Sequence, residues 1–147
     1  MNQYESSIMK SCIDFSGVQF AYDENLPEGF AVPSLYFPAA ENLPGKSALG
    51  SYRSEYSIFA KVFATSDREA MELAEKIVQG IMSLNCRLPV YTREGKDTGT
   101  IVKMELPTMR LSDDNVAQIT LAYKVIRLYE QQKQNSVQNV SINKNYD

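Results

Sequence analysis

Histidine is missing altogether from this 147-residue chain, which removes the commonest general base and the commonest transition-metal ligand together. Cysteine is scarce. Cys12 and Cys86 stand far apart, without the close spacing of a metal knuckle or a redox pair. They read as reduced, partly buried thiols of a cytosolic product, with a single disulfide as the alternative. No apolar run approaches the ~18 residues that span a bilayer. Met1-Asn2-Gln3-Tyr4-Glu5 lacks the basic and apolar regions of a secretory signal. No membrane partner is expected, and the chain is expected to stay where it is made. A net charge of -3 with no basic run argues against a dedicated nucleic-acid binder. There is no Gly-x-Ser-x-Gly elbow and no Cys–His pair. The acids, Glu130 included, show no spacing that acid–base catalysis requires. Neither a catalytic residue, a metal nor a cofactor is expected, and the chain reads as a non-enzyme.

What is present is an ordinary globular composition, 44% hydrophobic and 10% aromatic, enough for one core. The order of elements predicts a single α+β domain over 1–130. Ile8, Met9, Cys12, Ile13 and Phe15 give Tyr4 to Phe15 helical spacing. Val18, Phe20 and Tyr22 suit a short strand, broken by Asp23 to Gly29. In Phe30 to Phe37 the internal Pro33 makes the strand either an edge or a late starter at Ser34. Pro38 to Gly50 reads as a loop around Pro44-Gly45. Ser51 to Ala64 is a long strand, with Tyr52, Tyr56, Ile58, Ala60 and Val62 on one face. A helix follows from about Ser66 to Asn85. Its start carries the capping box Ser66-Asp67-Arg68-Glu69, and Asn85 is a left-handed stop. Met71, Ala74, Ile77, Val78, Ile81 and Met82 form its apolar stripe. Leu88 to Arg93 and Thr98 to Met104 make a hairpin about Glu94-Gly95-Lys96-Asp97, and Leu106 to Leu111 continues its second strand. Val116 to Tyr129 is a final long strand. The expected fold is an antiparallel or mixed sheet of four to five strands, with one long and one short N-terminal helix on one face. Beyond Glu130 lies a polar tail, 131–147, anchored only by Val137, Val140 and Ile142. In a free monomer it is expected to be disordered, and contacts with a neighbouring subunit are expected to order it.

Two motifs invite chemistry. Ala40-Glu41-Asn42-Leu43-Pro44-Gly45-Lys46-Ser47 resembles a relaxed phosphate loop, but a strand rather than a helix is expected after Lys46-Ser47. No helix N-terminus would then face a phosphate, and Pro44 removes a backbone donor. Asp113-Asp114-Asn115 offers hard oxygen ligands, yet such residues favour turns because their side chains bond their own backbone. Calcium also needs more oxygens than this loop holds.

From Phe30 to Glu130 the pattern resembles a known family. A proline-containing strand leads to Tyr52-Arg53-Ser54-Glu55-Tyr56-Ser57-Ile58-Phe59, then to the link Thr65-Ser66-Asp67. A helix with Ala74-Glu75-Lys76-Ile77 follows, and the closing strand runs through Tyr123-Lys124-Val125-Ile126-Arg127. This order is similar to that of the tail terminator proteins of contractile-tailed phages and phage-like bacteriocin particles. It is similar more loosely to the minor capsid and tail-completion proteins of long-tailed phages. The N-terminal helix here is shorter than the family's and the polar tail is longer.

The resemblance implies a homohexameric ring at the head-proximal end of a tail, assembled in the bacterial cytoplasm. Such a ring would cap the tail-tube protein, stop its polymerisation, and meet the sheath and the neck or collar protein. DNA at most would pass through its lumen. Contacts are expected at the hairpin residues Arg93, Glu94, Lys96 and Asp97, at Leu43 and Lys46 in the 38–50 segment, and at tail residues Val137, Val140 and Ile142. The rival readings are a small adaptor that binds a peptide by strand addition at the proline-marked edge, and a nucleotide-binding enzyme using Ala40 to Ser47.

Overall fold

Helix α1 (Gln3–Ser16) begins on a capping box that its sequence spells as Asn2-Gln3-Tyr4-Glu5. The Glu5 N–H donates to Asn2 Oδ1 at 2.8 Å, and the Asn2 N–H donates back to Glu5 Oε1 at 2.9 Å. It ends at Gly17, whose φ of 74° turns the chain out of the helix. This computed structural model describes residues 2–48 and 51–128. Strands β1 (Phe20–Asp23), β2 (Ser34–Phe37), β3 (Glu41–Ala48) and β4 (Ser51–Phe63) follow α1. Helix α2 (Asp67–Ser83) comes next, then β5 (Arg87–Tyr91), β6 (Asp97–Lys103), β7 (Thr108–Asp113) and β8 (Val116–Leu128).

Ser66 caps α2 as expected, accepting the Glu69 N–H at 3.1 Å. Glu69, however, reaches one residue further back than a capping box does. Its Oε1 accepts both the Thr65 N–H and the Thr65 hydroxyl, each at 2.8 Å. The helix stops at two successive left-handed residues, Asn85 (φ 55°) and Cys86 (φ 60°), and the Cys86 N–H returns to the Ile81 carbonyl. The buried stripe is Ala70, Ala74, Ile77 and Ile81. Met82, expected in that stripe, is instead exposed.

The main sheet has six strands in the order β1-β2-β4-β8-β7, with β3 also paired to β4, and β5 and β6 form a separate two-stranded sheet. β2 is antiparallel to β4 and β7 to β8, while β1 runs parallel to β2, so the α+β fold with a mixed sheet holds. Its strands number more than four to five because two segments differ from expectation. Glu41–Ala48 is a strand despite Pro44-Gly45. Thr108–Asp113 does not extend the hairpin strand but joins the main sheet, after a break that contains Pro107. Pro33 precedes a late start at Ser34, and β2 is an interior strand covered by β1.

One face of the sheet carries the core. Leu35, Phe37, Ile58, Ala60, Val62, Ala117, Ile119, Leu121 and Tyr123 are buried along it, together with Ile8 and Cys12 of α1 and Ile77 and Ile81 of α2. Each large side chain so removed from water contributes roughly 1.5–3 kcal/mol before entropy is counted. Tyr123 stacks on Tyr56 with ring centroids 5.1 Å apart, and Tyr4 tilts against it at 6.1 Å. Phe30 packs on Phe63 at 4.6 Å. The two helices meet where the Phe15 ring lies over Gly80.

The chain is organised in two compact units, Met1–Glu41 with Tyr56–Tyr123, and Asn42–Glu55 with Lys124–Asp147. The first holds both helices, the hairpin and the core just described. The second, over its described residues, holds most of β3, the start of β4 and the end of β8.

Candidate functional site

The hairpin β5–β6 is the best-built projection of the first unit. Its inner strand is fixed from below by apolar burial, Leu88 at 0% and Val90 at 4% exposure. Its far end is fixed by polar side chains of α1. The Tyr91 N–H donates to Ser7 Oγ at 2.8 Å, and the Tyr91 carbonyl accepts from Gln3 Nε2 at 2.9 Å. Both backbone groups of Tyr91 are therefore satisfied by α1. Lys10 Nζ sits 5.1 Å from the centre of the Tyr91 ring, and it also pairs with Asp14 at 3.5 Å.

Beyond this root the chain turns tightly. The Thr92 N–H donates to the Lys96 carbonyl at 2.8 Å, the Gly95 N–H to the Thr92 carbonyl at 2.9 Å, and the Lys96 N–H to Thr92 Oγ1 at 3.1 Å. Gly95 has φ 87°, a conformation that favours glycine. The returning strand is irregular. Tyr91 pairs with Asp97 and Pro89 with Ile101, so Thr98, Gly99 and Thr100 face only Val90, and Gly99 sits at φ 81°. The Gly99 N–H donates to Asp97 Oδ1 and the Thr100 N–H to Thr98 Oγ1. Two strand amides are thus held by the strand's own side chains.

Arg93, Glu94 and Lys96 lie in the turn and Asp97 opens β6; all four are exposed. The structure brings these four together as a tip of alternating charge on a rigid stalk. A cavity of about 360 Å³ at the root is lined by Gln3, Ser6, Tyr91, Thr92 and Arg93. Leu43 and Lys46 fall in β3, with side chains outside the described residues. Val137, Val140 and Ile142 also lie outside the described residues.

The motifs that invited chemistry become structural. Lys46 and Ser47 lie inside β3, and the next element is strand β4. Asp113 to Asn115 form the β7–β8 turn. The Asp114 N–H bonds Asp113 Oδ1 at 2.9 Å, Asn115 has φ 61°, and the Asn115 N–H donates to Asp67 Oδ1 at 2.7 Å, tying the turn to the start of α2. Among the described residues, no three potential metal ligands gather. Cys12 and Cys86 are free and buried, and burial pushes the Cys12 thiol up to about 12.

Sequence reasoning missed one surface, the outer edge of β7. It is the last strand in the sheet order, and Leu111 on it is 43% exposed, with Leu106 just before it at 71%. Pro107 was the available signal, since it separates this strand from the hairpin.

No described protein family matches the chain by its signature. An uncharacterised Bacillus subtilis protein, YqbJ, is 34% identical over 137 residues, which is 93% of each chain. XkdJ, a protein of the phage-like element PBSX of the same organism, is 24% identical over 143 residues, 97% of each chain. A chain from the virion of a native gene transfer agent particle superposes with a TM-score of 0.49 at 11% identity, covering 84% of this chain and 92% of that one. That last likeness is too distant to speak of function. The identity to YqbJ over nearly the whole of both sequences decides the matter of kinship: the chain belongs to the YqbJ family, and its relatives extend to a protein of a phage-like element.

Proposed function

We propose that this protein is a structural component of a phage or phage-like particle, and within it the tail terminator. As a homohexameric ring at the head-proximal end of the tail it caps the tube, stops its growth, and offers a surface to the sheath and the neck or collar protein. The observation that carries the particle assignment is the end-to-end relationship to XkdJ, with 97% of both chains aligned. The finer role rests on the order of elements from Phe30 to Glu130, which resembles that of tail terminators. The anchored hairpin supports it. A charged tip on a stalk fixed by Gln3 and Ser7 suits recognition of a preformed surface, because little ordering remains to be done on contact. The mechanism is physical: one ring face complements the tube and the other does not, so addition cannot propagate. A chain with net charge -3 would let DNA pass through the lumen without trapping its phosphates.

Light scattering on the purified protein, alone and mixed with tail-tube protein, tests this. A hexamer mass, or rings at tube ends only, is the expected result; a stable monomer that ignores tube ends overturns it. The second reading, an adaptor that binds peptides by strand addition, has lost the proline-marked edge it relied on, because β1 covers β2. The open edge of β7 keeps it in view. It expects a small oligomer that captures extended peptides and leaves tube growth unchanged.

A further inference from the structure

We propose that the cavity at the root of the hairpin receives a carboxylate side chain from the protein surface that the hairpin recognises. This deepens the contact role given to the hairpin above and rests on it.

The cavity lies where the first turn of α1 meets the end of β5. Its volume of about 360 Å³ is lined by Gln3, Ser6, Tyr91, Thr92 and Arg93, which is the small end of the range for ligand sites. The walls are set before any ligand arrives. Tyr91 is held at its N–H by Ser7 and at its carbonyl by Gln3. Thr92 is held through its N–H and its hydroxyl oxygen by Lys96 and through its carbonyl by Gly95. Little ordering is left to oppose binding.

The groups left unused in these walls are donors. The Thr92 hydroxyl oxygen accepts the Lys96 N–H, which leaves its own proton to give. Gln3 turns its amide nitrogen toward the Tyr91 carbonyl, and that nitrogen keeps a second N–H. The Arg93 guanidinium is a fork of N–H donors with no hydrogen-bond or ion-pair partner among the described residues. No acid lines the cavity, and Arg93 is the one formal charge among its lining residues. Lys10, beside the Tyr91 ring, is already paired with Asp14. One free positive charge flanked by neutral donors matches one singly charged acceptor. A carboxylate meets a guanidinium through two parallel hydrogen bonds, whereas a phosphate dianion would keep half its charge unbalanced. Gln3, Ser6 and Arg93 are exposed, so the cavity opens to solvent beside the tip, within reach of a side chain carried on a large partner.

The test follows the backbone amide signals of Gln3, Thr92 and Arg93 in the full chain. The titrants are N-acetyl-glutamate N-methylamide, its aspartate counterpart and its neutral glutamine counterpart. At least one of the acids is expected to saturate those signals with a dissociation constant on the order of 1 mM. The glutamine mimic is expected to bind about ten-fold more weakly, as is either acid after Arg93→Gln. Arg93 is exposed, so its replacement leaves the fold intact, which the rest of the spectrum verifies. Equal binding of acid and amide, or binding unchanged by Arg93→Gln, overturns the proposal. So does inorganic phosphate acting as strongly as the acids, or no saturation by either acid at about ten times that concentration. Tube capping separates the pocket from the terminator role. Acid binding without capping removes the terminator role and keeps the pocket, whereas capping with neither acid bound does the reverse.

Discussion

Gly80 sits where α2 passes under the Phe15 ring of α1, and a Cβ there would fall among the ring carbons. On helix propensity alone, alanine would stabilise this position by about 1 kcal/mol. Contact geometry decides the other way, because overpacking a filled site typically costs about 1–3 kcal/mol. Gly80→Ala is expected to lower the midpoint of chemical denaturation, and adding Phe15→Leu is expected to restore part of the loss. If Gly80→Ala proves neutral or stabilising, the helix contact is looser than described. The sequence shows the glycine but not its reason, since Phe15 is a distant residue brought opposite it only by the packing of the two helices.

At the level of the element, α2 shows how a cap becomes a pH response. Thr65 donates from its backbone and its hydroxyl to Glu69 and holds that carboxyl below its ordinary value. The folded state therefore favours the ionised form. The stabilisation is present above the ordinary carboxylate range and is lost as pH falls through the lowered folded value. Glu69→Ala is expected to lower Tm at neutral pH, with the gap from the parent protein closing as the solution is acidified. An unchanged gap at low pH would contradict this. The ends of α2 were legible because capping and left-handed stops are local signals, carried by Ser66 and Asn85. β3 was not legible, since Pro44-Gly45 is a local loop signal overridden by pairing with β4. Nor was the parallel β1–β2 pair, joined by ten residues without a helix (Glu24 to Pro33), where such connections usually need a longer crossover.

For the whole molecule, the hairpin tip is the contact surface that the proposed function asks for. Arg93→Glu with Lys96→Glu should leave the ring mass unchanged and raise the concentration needed to cap tubes by roughly ten-fold, as loss of complementary rim charge slows encounter. Disassembly of the ring by that pair would place the hairpin between subunits instead. The hairpin tip could be read from Glu94-Gly95-Lys96-Asp97 because a turn is written in consecutive residues. The outer edge of β7 could not, because strand order is a property of the assembled sheet.

The irregular stretch Asp97 to Thr100 has a consequence for the time before assembly. Under the proposed function the protein exists before assembly as a pool of identical chains, and any strand edge that accepts all comers would let that pool gel. Where Asp97 and Thr98 hold the Gly99 and Thr100 amides, a passing chain finds those two donors already taken. The hairpin can then stand exposed on a stored subunit without seeding fibres. Replacing Asp97 and Thr98 by alanine would release those amides and shorten the time that a concentrated stock stays clear.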